Sequence, residues 1–354
     1  MARPGGLARW RERVSLICDA GGDARTLRLR LLAALRQAVG FDSYAWLLTD
    51  PETCVGSAPL ADVPCLPELP RLIRLKYLTA VNRWTSLAAP PAGLLQQATG
   101  GDPSRSLVWR ELLSRYDVGD VASVVFRDRF GCWGFLDLWR SGGGARFSRA
   151  EAAWLVGIAG PVTTALRRSQ AGAFCGPATA GERRAGPVVL LLSPALEVLG
   201  QTPQTLGYLR VLVPPEEGRS PVPASAYNVA GQLMAAEAGV DGHPAMARVH
   251  LRDGLWVTVR AARIGNTGPV SERDITVSIE ESSPPERIAV FARASGLTSR
   301  ESQLLRHLAS GTDTRELARR MFLSEHTVQD HLKSIFAKTA TRSRRALLAR
   351  TLGS

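Results

Sequence analysis

Between Leu297 and Leu352 the chain writes the start of a helix four times. Thr298 stands three residues before Glu301, Asp313 three before Glu316, Ser324 opens the run EHTVQDHLKSIFAKTA, and Ser343 opens SRRALLARTL. A Ser, Thr or Asp side chain at such a position accepts a backbone N–H of the first turn. A carboxylate three residues on reaches back, so donors that a helix start leaves bare are satisfied. Gly311 supplies a stop after the first helix. The short turn FLS joins the second helix to the third, the spacing of a helix-turn-helix. In the third helix Val328, Leu332 and Ile335 recur at i, i+4 and i+7. That face is expected to be buried, with Thr327, Gln329, Asp330, His331 and Lys333 pointing elsewhere. The pattern suits an amphipathic helix in an enzyme core, and equally a helix that enters a nucleic-acid groove.

Charge narrows the choice. Residues 297–354 hold eleven Lys and Arg against five Asp and Glu, an excess of six within a formal net charge of +12. Half of the positive balance is thus concentrated at one end, which suits a polyanionic partner. Elsewhere composition is ordinary for a globular protein, at 45% hydrophobic and 21% charged over 354 residues, room for two or three domains. No apolar run approaches the ~20 residues of a membrane span, and the N-terminus lacks the apolar core of a secretion signal. A cytoplasmic, nucleoid-associated protein without membrane contact is expected. The five cysteines are scattered, with no C-x-x-C pair, which argues against a disulfide framework and a zinc site. No other metal motif and no cofactor can be named.

Two breakers divide the chain. SQAGAFCGPATAGERRAGP (169–187) is small and aperiodic and reads as a linker; ESSPPERI (281–288) carries paired prolines that interrupt strand and helix. Before the first breaker, Leu27, Leu31, Leu35 and Val39 recur at helical spacing up to Gly40, a C-cap. SYAWLLTD reads as a strand, helical stretches follow near 68–86 and 104–116, and VASVVFRDRFGCWGFLDLWR reads as a hairpin turning near Gly131. A final long helix opens on the capping box Ser148/Glu151, with a kink expected at Pro161. Between the breakers, VVLLL, a turn at Ser193-Pro194, a second short strand and the period-two runs LWVTVRA and ITVSI give antiparallel strands around an Arg-Asp-Gly turn.

The C-terminal residues resemble the LuxR-type DNA-binding domain of bacterial transcription regulators. Leu297, Thr298, Arg300 and Glu301 match its opening; Gly311, Glu316 and Ala318 match its middle; Ser324, Thr327, Val328 and His331 match S-x-x-T-V-x-x-H; Ile335, Lys338, Ser343 and Arg344 complete it. Gln329 departs from the usual lysine. The resemblance implies double-stranded DNA as partner. Ser324, Thr327, Val328, Gln329, His331, Lys333, Lys338, Arg342 and Arg344 would form its interface: Val328 on a thymine methyl, Gln329 on adenine, and Lys333, Lys338, Arg342 and Arg344 on phosphates. A homodimer on DNA is expected, paired through the Leu347, Leu348 and Leu352 helix or the 148–169 helix, and RNA polymerase is a further expected partner. The first segment's layout resembles a GAF domain and the second's a PAS domain, both sensory modules. The fold class is therefore α+β: a GAF-like domain (8–170), a PAS-like domain (186–283) and an all-α four-helix helix-turn-helix domain (290–354). Aromatic residues crowd the first segment, and Tyr44, Trp46, Trp84 and Trp109 are candidates to line a pocket for a small-molecule effector. No catalytic motif is present, so an enzyme is not expected; a protein-interaction scaffold, or an enzyme with an unrecognised N-terminal active site, is the alternative.

Overall fold

The computed structural model describes residues 4–142, 146–174, 187–205, 207–208, 224–251 and 255–353. Two antiparallel sheets, each of five strands, are followed by a bundle of helices. The first sheet contains β1 (Ser43–Thr49), β2 (Gly56–Asp62), β3 (Ala92–Leu94), β4 (Val118–Asp128) and β5 (Gly131–Ser141), in the order β2-β1-β5-β4-β3. The second contains β6 (Val189–Leu192), β7 (Val198–Gln201), β8 (Met246–His250), β9 (Trp256–Arg263) and β10 (Ile275–Glu281), in the order β7-β6-β10-β9-β8. Both therefore repeat one plan, in which a hairpin sits beside a three-stranded meander.

Period-two alternation gives the first sheet two different faces. Trp46, Leu136 and Leu138 join a core with α1 (Pro4–Ala20), α2 (Ala24–Val39) and α6 (Arg149–Gly172). Leu27, Leu31, Leu35 and Val39 of α2 are all buried there, as their spacing requires, and Gly40 closes the helix at φ 57°. Ser148 and Glu151 form the expected capping box, and α6 runs on through Pro161. Its stripe of Leu155, Ile158, Val162 and Leu166 is spent on the sheet. The other face, with Ala45, Phe135 and Trp139, meets α3 (Leu69–Leu78) and α5 (Leu107–Glu111). Between those helices lies α4 (Leu95–Ala98). The stretches near 68–86 and 104–116 are broken into short α and 3-10 turns rather than long helices, and β2 and β3 are strands beyond those read from the sequence.

The two breakers behave differently from their reading. Residues 175–186 of the first lie outside the described residues, but its start belongs to α6, and Phe174 is only 1% exposed. The second contains the start of a helix. Pro284 and Pro285 occupy the first turn of α8 (Pro284–Ala294), where a proline loses no hydrogen bond, and Ser283 with Glu286 makes a capping box. The Arg-Asp-Gly turn, residues 252–254, lies outside the described residues; Leu251 and Leu255 still close the hairpin through a 2.7 Å hydrogen bond.

The second sheet is covered by α7 (Ala224–Glu237), whose residues 224–232 are all buried. A helix with no exposed face has a neighbour on every side. One neighbour is the second sheet; the other is α3 of the first unit, since Val55, Ile73 and Tyr77 share a single hydrophobic cluster with Leu190, Val229 and Val257. Buried polar contacts cross the same boundary. Arg248 donates to both carboxylate oxygens of Asp50 at 2.7 and 2.8 Å, with side chains 3% and 0% exposed. Arg83 pairs with Asp241 at 2.8 Å, and Thr85 donates to the same carboxylate at 2.6 Å. These contacts hold the Asp241 carboxyl well below the usual range despite its burial.

The C-terminal bundle comprises α8, α9 (Ser299–Ala309), α10 (Thr314–Met321), α11 (Glu325–Thr339) and α12 (Arg344–Leu352). The four expected helices are joined by a fifth, α8, which the prolines had hidden. Leu347 is fully buried, while Leu348 and Leu352 pack on the same core and stay partly exposed. Phe174 at the end of α6 stacks on Trp256 of β9 at 4.6 Å and meets Phe291 of α8 edge-on at 5.2 Å. One aromatic cluster thus joins all three units.

Candidate functional site

Each helix start in the bundle is fixed locally. Thr298 accepts from Glu301 N, Asp313 from Glu316 N, Ser324 from Thr327 N and Ser343 from Ala346 N. Helix α10 ends on Phe322 in the left-handed region at φ 55°, and the chain turns directly into α11. Val328, Leu332 and Ile335 are buried at 0–1% exposure. The opposite face presents His326, Gln329, Asp330 and Lys333, all exposed and spaced i, i+3, i+4, i+7. Asp330 lies 3.2 Å from Lys333 and 3.5 Å from His326, so the acidic group in the middle of this stripe has an ammonium on one side and an imidazole on the other.

This geometry corrects one expected contact and gives several others an internal partner. Val328 belongs to the inner face and has no surface left to meet a thymine methyl. Lys338 reaches back to α9, where its ammonium lies 2.7 Å from Glu301. Ser334 donates to the same carboxylate at 2.6 Å. Burial would raise the Glu301 pKa, but these donors and the Thr298 cap outweigh it and hold the group at about 2. Arg344 donates to Thr314 Oγ1 and ties α12 to α10. Ser324 is occupied as the α11 cap, and Thr327 and His331 are half-buried, while Arg342 is exposed. Sequence reasoning missed His326, one turn ahead of Gln329 on the exposed stripe. The buried positions already defined that stripe by default, and i, i+3 spacing from Gln329 could have found it.

The first unit holds a cavity of about 320 Å³, within the ~300–1,000 Å³ of small-molecule sites. Its walls are the Ala45/Leu47/Trp139 face of the sheet, α3 and part of α7. A polar cluster lies in this mostly apolar wall. Asp137, 3% exposed, accepts from Ser123 Oγ at 2.6 Å and Trp84 Nε1 at 3.0 Å, and pairs with Lys76 at 2.7 Å. The Lys76 ammonium also sits 4.5 Å from the Trp84 ring centre. Two further donors in the wall, Trp139 Nε1 and Asn82 Nδ2, are buried with no hydrogen-bond partner among the described residues.

Of the four aromatic candidates, Tyr44 and Trp84 line this cavity. Trp46 points to the opposite sheet face, where it stacks on Phe126 at 5.3 Å. Trp109 is half-buried and donates to Val118 O at 2.7 Å, outside the cavity wall. Alternation along β1 separates Trp46 from its neighbours Ala45 and Leu47, a signal available in the sequence, whereas Tyr44, which shares Trp46's parity and packs partly on the same core, lines the cavity despite it.

A tight turn between two short helices, the second exposing a polar stripe, defines a helix-turn-helix protein. Residues 295–350 match the family described as bacterial regulatory proteins, luxR family, so the C-terminal unit is a LuxR-type DNA-binding domain. Over 48 residues the chain is 44% identical to the probable csgAB operon transcriptional regulatory protein of Salmonella typhimurium, and equally to the CsgBAC operon transcriptional regulatory protein of Escherichia coli. The match takes in 14% of this chain and 22% of each relative's length. Among solved structures, Escherichia coli SdiA aligns over 98% of this chain and 96% of its own, at 11% identity and a TM-score of 0.36. VqmA bound to DPO aligns over 48% and 82%, at 18% identity and a TM-score of 0.19.

Proposed function

We propose that the chain is a one-component transcription regulator. A small-molecule effector enters the GAF-like first unit, the PAS-like second unit is coupled to it, and the LuxR-type domain acts on double-stranded DNA, at the nucleoid in the cytoplasm. The cavity carries the effector half of this reading. Unpartnered donors buried in an apolar wall cost free energy until something accepts from them, and a ligand with one or two acceptor groups would do so. On the DNA side, α11 lies in the major groove with His326, Gln329, Asp330 and Lys333 toward base edges. Asp330 can accept from cytosine and Gln329 can pair with adenine. Exposed arginines of the basic bundle, Arg342 among them, meet phosphates. The working unit on DNA is a homodimer, because paired half-sites a helical turn apart multiply the specificity of one small contact surface. RNA polymerase is the next partner of such a complex.

The test is a DNA-binding titration across salt concentrations, on genomic fragments selected by the full-length protein. Binding should weaken steeply as salt rises, because phosphate neutralisation releases counterions. A metabolite screen by thermal shift then seeks a compound that raises the melting temperature and alters DNA affinity together. Salt-indifferent DNA binding, or stabilising ligands that never change DNA affinity, would count against the reading.

A further inference from the structure

Helix α7 belongs to the second unit, yet it forms part of the wall of the first unit's cavity through Ala224 and Asn228. The residues that turn toward α3 are small. A Cβ on Gly231 would lie 3.1 Å from the Tyr77 ring, tighter than an ordinary contact, so the glycine favours this close approach of the two helices. Asn228 is drawn into the boundary with them. The residue is 1% exposed, and among the described residues neither Oδ1 nor Nδ2 has a hydrogen-bond partner. The nearby polar groups bond elsewhere: Tyr77 Oη accepts from Gly56 N at 3.0 Å, which leaves only its O–H to donate, and Gln232, one turn on, donates to His243 O at 2.8 Å. Leaving both ends of an amide unpaired in a protein interior is costly, and a leucine of similar shape would avoid that cost.

We propose that Asn228 is a specificity-determining residue for the effector, contributed across the unit boundary, and that the effector carries an amide or similar group able to donate to Oδ1 and accept from Nδ2. The inference rests on the cavity being an effector site and adds which unit completes it. An occupant would touch the sheet and α3 of the first unit and α7 of the second. Binding and the docking of the two units are then linked: whatever holds the ligand more tightly also holds the units together.

The experiment measures binding of octanamide and methyl octanoate to the full-length protein by calorimetry, in wild type, Asn228→Leu, Asn228→Ala and Asp137→Asn. The two probes share a chain length and a carbonyl, but only the amide also donates. Wild type should prefer octanamide by about tenfold, the value of one hydrogen bond left unmade. Asn228→Leu should bring that ratio to about one while leaving the melting temperature without ligand unchanged or higher. Asn228→Ala serves as the second variant should leucine not fit. Wild-type discrimination in the Asn228 variants, with binding lost in Asp137→Asn, overturns the role of Asn228 and leaves the cavity reading standing. A lower melting temperature in the Asn228 variants with discrimination intact makes the residue structural and also overturns it. Failure of wild type to bind either probe overturns both.

Discussion

A lysine on a surface helix of a basic domain looks like a phosphate ligand until its partner is known. Lys338 fits that description in the sequence, but in the structure its ammonium is spent on Glu301, itself only 3% exposed. The pair ties the base of α11 to α9 and so fixes the angle at which the exposed stripe is presented. Replacing Lys338 with methionine should cost about 2 kcal/mol of stability, the range for a hydrogen bond to a charged group, whereas Lys333→Met should cost little, being exposed and paired only along its own helix. Thermal melts of the two variants check this. The pH dependence has a definite sign. Glu301 is held at about 2, below the ordinary carboxylate value, so its contribution is complete above that ordinary value and is lost as pH falls toward about 2. Lys338→Met lets the carboxyl rise, and acid unfolding monitored by circular dichroism should begin at higher pH. Gln329 is exposed and makes no such internal contact among the described residues. Gln329→Ala should relax preference at one base pair by ~1–3 kcal/mol without altering the melting temperature, read by binding to a set of single-base operator variants.

Among the elements, legibility depended on whether the deciding interaction is local. The caps of α9, α10, α11 and α12 were visible because a side chain and an N–H three residues apart settle them. The same grammar was present at Ser283 and Glu286, but the two prolines between them drew the eye as a break. Ser283→Ala should remove the α8 cap and cost about 1 kcal/mol, measurable in chemical denaturation. Helix α7 was illegible for the opposite reason. Apolar residues lie on every side of it and its polar Asn228 and Gln232 are buried with them, so no periodicity marks a face, and its position is set by the sheet and helix that enclose it. The cavity belongs in the same class. Tyr44 and Trp84 were reachable from aromatic content, but Asp137, Lys76 and Asn228 become a group only once β5, α3 and α7 meet.

The whole molecule is governed by contacts that no window of sequence contains. Asp50 and Arg248 are 198 residues apart, and together they form a two-point ion pair sealed between the sheets. Asp50→Asn leaves the buried Arg248 with only the half-exposed Glu52, 3.0 Å away, as counter-charge and should destabilise the protein by roughly 3 kcal/mol, the low end for a broken buried pair. Because the pair spans two units, calorimetry should also show the single unfolding transition of those units broadening or splitting. Val55, Ile73 and Tyr77 carry the same lesson further, since they are interior residues of a cluster built mainly from the neighbouring unit. The divide that a reader would draw at the linker is therefore not where the oil stops and water begins. A chain ended after residue 174 would bare this patch and should self-associate. Transplanting the sensor onto another output would need α7 and the second sheet to travel with it. What can be inherited as one portable part is the pair, not either member.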